Sequence, residues 1–342
     1  MPSAPLLPRG TALAGALLLT LSACGGATDG EGGAAGGPSQ QGGRGGEDAL
    51  QVTTSFYPMT NLAREVGGDH VQVSQLTPDG ADPHHFELSP KQTGAVQEAD
   101  LVVHLGSMQP AVDAAVKAVA QDSAWDAAEA TELEAKAHEL GVGEGHEGEG
   151  HEGEGHEGEG HEGEGHDHGP VDPHYWLDPV TYGESATALA EELAELDPDH
   201  AADYRENARA YVQELTALDE ELEKSLSSCR QDTLVVAHEA YGWFTARYGL
   251  DQLAASGLNN EAEVSPQRLA ELTRLIEDAG VSTIYAEPLT PQDNAQTLAA
   301  ETGTGVEVLD PAAGITEDSP AQDYLGIMEH NREVLVAGQE CS

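Results

Sequence analysis

Short runs of β-branched and other apolar residues alternate along the chain with stretches whose apolar positions recur every three or four residues. The runs at 50–54, 71–76 and 101–105 in the first half, and at 233–237, 252–255, 281–286 and 306–309 in the second, predict strands. Between them, 58–66, 90–98, 266–279 and 291–301 predict helices. Several open on a proline, whose fixed φ and missing N–H suit a first helical turn. Strands alternating with helices at this spacing form βαβ units, so the expected class is α/β with parallel sheets.

One segment breaks the alternation. A helix expected at 183–196 meets the stop signal Asp197-Pro198-Asp199. Beyond it, Tyr204, Ala208, Tyr211, Leu215, Leu218, Leu222 and Leu226 mark one apolar stripe along 201–227. A helix of that length runs about 40 Å at 1.5 Å per residue. Lying between the two strand sets, it reads as a rigid connecting spine that restricts large hinge motion. The expected organisation is a first α/β lobe at 48–196, a connecting helix at 197–228 and a second α/β lobe at 229–342.

The ends and the low-complexity tracts set the compartment. Arg9, a short apolar run at 11–20 and Leu21-Ser22-Ala23-Cys24 read as a signal peptide over 1–23, too short to span a bilayer. Leu-Ser-Ala-Cys looks like a bacterial lipobox, which makes Cys24 the expected lipidation site and membrane anchor. Residues 24–47 are mostly small and polar and read as a flexible tether. The tract 144–168 repeats Gly-His-Glu-Gly-Glu with no apolar residue and is expected to be a solvated, disordered loop. Its His146, His151, His156, His161, His166 and His168 are candidates for weak accessory metal sites. Past Cys24 only Cys229 and Cys341 remain. In an oxidising compartment their expected state is a disulfide, with two buried thiols as the alternative.

The formal charge of −48, from 62 acidic against 14 basic residues, excludes a phosphate-tracking surface and makes nucleic acid an unsuitable partner. Cations are the natural ligand class. Fifteen histidines point the same way. Three of them, His84, His174 and His238, stand at strand ends or loops, where open α/β sheets present ligands. His84 and His174 each follow Asp-Pro and lie near an aromatic side chain; His238 follows the run at 233–237, and Asp310 the run at 306–309. Three imidazoles and one carboxylate suit Zn²⁺ and are too rich in nitrogen for Mg²⁺ or Ca²⁺, and less sharply for Mn²⁺. His85 and Glu239 flank these candidates and read as bystanders.

In order along the chain, the lipobox is followed by Pro-His-His-Phe-Glu-Leu-Ser-Pro, the His-rich acidic loop and Asp-Pro-His-Tyr-Trp-Leu-Asp-Pro. Val-Ala-His-Glu-Ala-Tyr-Gly-Trp-Phe, Tyr-Ala-Glu-Pro and Val-Leu-Asp-Pro come next. Together they resemble the zinc-binding solute-binding lipoproteins of ABC importers, from about residue 50 to 341. The resemblance implies two α/β lobes joined by a long helix with the metal in the cleft between them. It also implies ligand roles for His84, His174 and His238, and a carboxylate at Asp310 that binds directly or through water. Glu287 is implied as an acceptor for a ligand imidazole, with lobe packing as its alternative. The implied cargo is Zn²⁺, because relatives that prefer manganese usually hold a Glu where His238 stands. The implied partner is an ABC permease, reached by a monomer anchored on the outer face of the membrane. A zinc hydrolase is the rival reading, but the sequence shows no His-Glu-x-x-His stretch, Gly-x-Ser-x-Gly elbow or obvious general base.

Overall fold

A computed structural model describes residues 49–142, 171–258, 264–290 and 292–342. Cys24, the segments 1–23 and 24–47, and the histidines of the tract at 144–168 lie outside these residues. In the first half, the strands are β1 Leu50–Thr54, β2 Val71–Gln75, β3 Leu101–His104 and β4 Ala124–Asp126. The helices there are α1 Tyr57–Gly67, α2 Pro90–Glu98, α3 Pro110–Val119, α4 Ala127–Ala130 and α5 Leu133–Leu140. Then come α6 Pro179–Leu196 and α7 Ala201–Leu226. The second half holds β5 Thr233–His238, α8 Gly242–Tyr248, β6 Asp251–Ser256, α9 Pro266–Ala279, β7 Thr283–Ala286, α10 Asp293–Thr302, β8 Gly305–Val308 and α11 Tyr324–Gly338.

The strands form two four-stranded sheets, ordered β2-β1-β3-β4 and β6-β5-β7-β8, with every pairing parallel. The two orders are the same pattern used twice. In each, the chain goes to one side of the first strand and then crosses to the other, so a crevice opens beyond the carboxyl ends of β1 and β3, and of β5 and β7. His238 ends β5 and Glu287 directly follows β7, which puts both at the second crevice.

Helix α7 buries Tyr204, Ala208, Tyr211, Leu215, Leu218, Leu222 and Leu226, the same stripe that the spacing predicts. Each of its leucines contributes roughly 1.5–3 kcal/mol relative to exposure. The helix packs against α1 and α6 and also against α8 and α11, so it touches elements of both halves. Hydrogen bonds reinforce the packing on α1 and α6. Asn61 donates to the Tyr211 hydroxyl at 2.7 Å, and the Tyr182 hydroxyl donates to the Pro58 carbonyl at 2.6 Å. A Cys229–Cys341 disulfide joins the start of the second half to the chain's last residues across 112 positions.

Helix α6 begins at Pro179, four residues before the expected start. Asp178 caps it by accepting from the Val180 N–H at 3.0 Å, and the proline occupies the first turn. Strand β4 was not expected, since three residues are too few to show alternation.

Candidate metal centre

The three candidate imidazoles are brought to one point by three different devices. His238 is carried by the end of central strand β5. His174 sits in a turn in which the Asp172 carboxylate accepts the His174 backbone N–H at 2.9 Å. His84 lies in the loop between β2 and α2, in a matching turn where Asp82 accepts the His84 N–H at 2.9 Å. The two Asp-Pro-His segments therefore fold alike: the aspartate closes the turn and the proline limits its backbone.

The His174 segment is held from the second half of the chain. The Trp243 indole donates to the Asp172 carbonyl at 2.8 Å, the Trp176 indole to the Pro311 carbonyl at 2.7 Å, and the Tyr324 hydroxyl to the Trp176 carbonyl at 2.6 Å. Gly242 packs against Asp172 so closely that a Cβ there would lie 2.4 Å from its Oδ2. Aromatic side chains thus wall the site while their polar tips find partners.

The Nε2 atoms of His174 and His84 are 3.2 Å apart, and those of His238 and His174 are 3.3 Å apart. Each of the three residues offers a ring nitrogen within 4.8 Å of the other two. Zinc–nitrogen bonds of about 2.0–2.1 Å give a tetrahedron edges of roughly 3.3–3.4 Å, so the two closest separations fit one zinc ion. On the far side of two rings a carboxylate fixes the tautomer. Nδ1 of His174 is 2.7 Å from Asp172 Oδ1, and Nδ1 of His238 is 2.8 Å from Glu287 Oε1. Each Nδ1 proton is directed to its carboxylate, leaving the Nε2 lone pair for a metal. The Nδ1 of His84 is buried with no hydrogen-bond partner among the described residues.

Burial, and then the positive charge that His238 can carry, hold His174 well below the ordinary imidazole range. Burial followed by His174 and His238 pushes His84 down to about 3. His238 goes the other way: burial lowers it, but the charge and hydrogen bond of Glu287 outweigh that and raise it. Burial raises Asp172 to about 7. Burial thus favours the neutral, metal-binding form of His84 and His174, whereas Glu287 shifts His238 toward its protonated form, with which a metal competes.

Asp310 follows β8 and is 2 % exposed, yet it is not among the groups that converge within 4.8 Å. Its Oδ1 accepts from the Ala312 N–H at 2.8 Å, its backbone exchanges hydrogen bonds with Asn331, and its Oδ2 is buried with no partner among the described residues. Burial raises its carboxyl to about 6. His85 and Glu239 are exposed. Glu287, 1 % exposed, has the imidazole contact expected of an acceptor. The orienting role of Asp172 was not anticipated, although an Asp two residues before each loop histidine was a readable signal.

Over residues 52–338 the chain matches the family described as zinc-uptake complex component A, periplasmic. It is 32% identical over 303 residues to the zinc-binding protein AdcA of Streptococcus pyogenes, covering 86% of this chain and 58% of AdcA. The chain therefore spans little more than half of that relative's length. It is also 32% identical over 293 residues to the high-affinity zinc uptake system protein ZnuA of Bacillus subtilis, covering 84% of this chain and 87% of ZnuA. Among solved structures, the laminin-binding protein Lmb of Streptococcus agalactiae, described as having adhesin and metal transporting activity, superposes with a TM-score of 0.69. The match has 28% identity and covers 85% of this chain and all of Lmb.

Proposed function

This chain belongs to the zinc-uptake complex component A family, and from that premise we propose that it captures Zn²⁺ outside the cytoplasm and delivers it to the permease of an ABC importer. The observation that carries the reading is the convergence of His84, His174 and His238, with Nε2 separations of 3.2 and 3.3 Å and a carboxylate behind two of the rings. Neutral imidazoles favour zinc over the oxygen-seeking Mg²⁺ and Ca²⁺. Asp310, whose Oδ2 is buried with no hydrogen-bond partner among the described residues, is the carboxylate available to complete the coordination directly or through water.

The residues 48–196 and 229–342 act as two lobes about this site, and the contacts of α7 with both halves limit how far they move apart. Cys24 anchors the protein to the outer face of the membrane through lipid, and a monomer suffices for capture. The reading is tested by zinc uptake in cells whose chromosomal copy is deleted. At scarce zinc, wild type restores uptake and His238→Ala does not; full restoration by His238→Ala contradicts the reading. Lipid labelling of wild type and Cys24→Ser tests the anchor, and equal labelling overturns it.

A further inference from the structure

His84 differs from its two partners in how it is held. Asp172 and Glu287 stand behind His174 and His238, while the buried Nδ1 of His84 has no partner among the described residues. Behind the loop that carries His84 lies Gln109, 1 % exposed, immediately before helix α3. Its Nε2 donates to the Thr77 hydroxyl at 2.9 Å and to the Pro83 carbonyl at 3.1 Å. Thr77 stands where this loop leaves β2, and its own hydroxyl donates to the Ser55 carbonyl at 2.8 Å just beyond β1. One amide thus ties the base of the loop to the residue adjoining His84, and through Thr77 to the end of the central strand.

The other atom of the same amide, Gln109 Oε1, is buried and has no hydrogen-bond partner among the described residues. A buried acceptor without a donor and a buried ring nitrogen without an acceptor are both costly. When a metal occupies His84 Nε2, the ring must carry its proton on Nδ1, and that proton needs an acceptor. We propose that Gln109 is the positioning residue for His84: its Nε2 fixes the loop through Thr77 and Pro83, and its Oε1 accepts the Nδ1 proton of metal-bound His84.

The neutral amide polarises its imidazole less than the carboxylates behind His174 and His238 polarise theirs. His84 is accordingly the weakest donor of the three and the one whose loss starts metal release.

The proposal rests on the zinc reading above, and the experiment separates the two. Zinc-loaded wild type and Gln109→Met are labelled with ¹⁵N-histidine; the Nδ1–H signals of the three ligands are recorded, and zinc release into excess chelator is timed. Gln109→Met keeps the length of the side chain and removes both its donor and its acceptor. Release is expected to quicken by about tenfold, the lower end of the affinity lost when a group supporting a metal ligand is removed, with the His84 signal shifted and those of His174 and His238 in place. Gln109→Glu, which retains an acceptor oxygen, is expected to release more slowly than Gln109→Met.

Wild-type release from Gln109→Met, or an equal shift of all three signals, overturns the proposal. Should Gln109→Met not fold, Thr77→Val, which removes the hydroxyl that accepts from Gln109, is expected to raise the release rate by a smaller factor; unchanged release in it then counts against the proposal. If wild type itself binds no zinc, the functional reading falls and this proposal with it.

Discussion

His238 Nδ1 lies 2.8 Å from Glu287 Oε1, both groups almost fully buried. The pair joins the ends of neighbouring parallel strands, since β5 and β7 are hydrogen-bonded side by side. Removing the charge of Glu287 leaves the ring in place but less basic. Glu287→Gln is expected to lower zinc affinity about 10- to 100-fold, read by competition with a chromophoric chelator. Circular dichroism should show an unchanged fold. Wild-type affinity in this variant would mean that the carboxylate packs the strands together and does not tune the ligand.

Protons and zinc compete mainly at one ring. His84 and His174 are already neutral near neutral pH, whereas Glu287 raises His238 above its ordinary value despite burial. As pH falls through the raised His238 value and on through the ordinary imidazole range, zinc affinity should drop by about tenfold per unit, the mark of one displaced proton. Three ordinary imidazoles would lose about a thousandfold per unit below their pKa. In the metal-free protein the sign is reversed: the His238–Glu287 pair stabilises the fold below the unfolded imidazole pKa, and this contribution is lost as pH rises through the raised His238 value. Titrations across this range in a chain lacking 144–168 check the slope.

Gly242 packs directly on Asp172 from the second half of the chain. A Cβ at this position meets Asp172 Oδ2 at 2.4 Å, and both groups are buried. Gly242→Ala should destabilise the protein by about 1–3 kcal/mol through overpacking. It should also weaken zinc binding, since Asp172 orients His174. A thermal melt and a zinc titration of the same sample test both effects.

The repeat at 144–168 carries six histidines and ten acidic residues, with glycine at the remaining positions. Fixing such a chain around a metal costs roughly 1–2 kcal/mol of backbone entropy per residue, so its sites should be weak and rapidly exchanging. Deleting it is expected to remove the weak sites, keep one tight site, and slow zinc loading only when zinc is scarce. Loss of the tight site on deletion would show that the repeat completes it.

How much of this was legible depended on the range of the interaction. The stripe of α7 was readable because its burial follows from spacing within a single helix. The convergence of His84, His174 and His238 was foreshadowed because each is placed by its immediate neighbours, an Asp-Pro turn or a strand end. Local capping already blurred the start of α6, and β4 has too few residues to carry a period. Gln109 lay beyond such reading: its contacts with Thr77 and Pro83 exist only because β2, β3 and the loop after β2 meet in space, and a lone buried glutamine carries no signal of its own. The contact of Glu287 with His238 spans 49 residues and depends on the β5–β7 pairing. Asp310 was readable as a strand-end carboxylate, but its distance from the three rings is set by tertiary packing.

The central claim is that the three imidazoles form one tight zinc site, and His174 is its middle member, within 3.3 Å of both partners. The most direct test is a competition titration of metal-free protein with Zn²⁺, comparing wild type with His174→Ala, both lacking 144–168. A single tight site in wild type, weakened by at least about a thousandfold in a folded His174→Ala, is the expected result, corresponding to roughly 4 kcal/mol of lost binding. An equally tight single site in both proteins would place the zinc elsewhere and contradict the account.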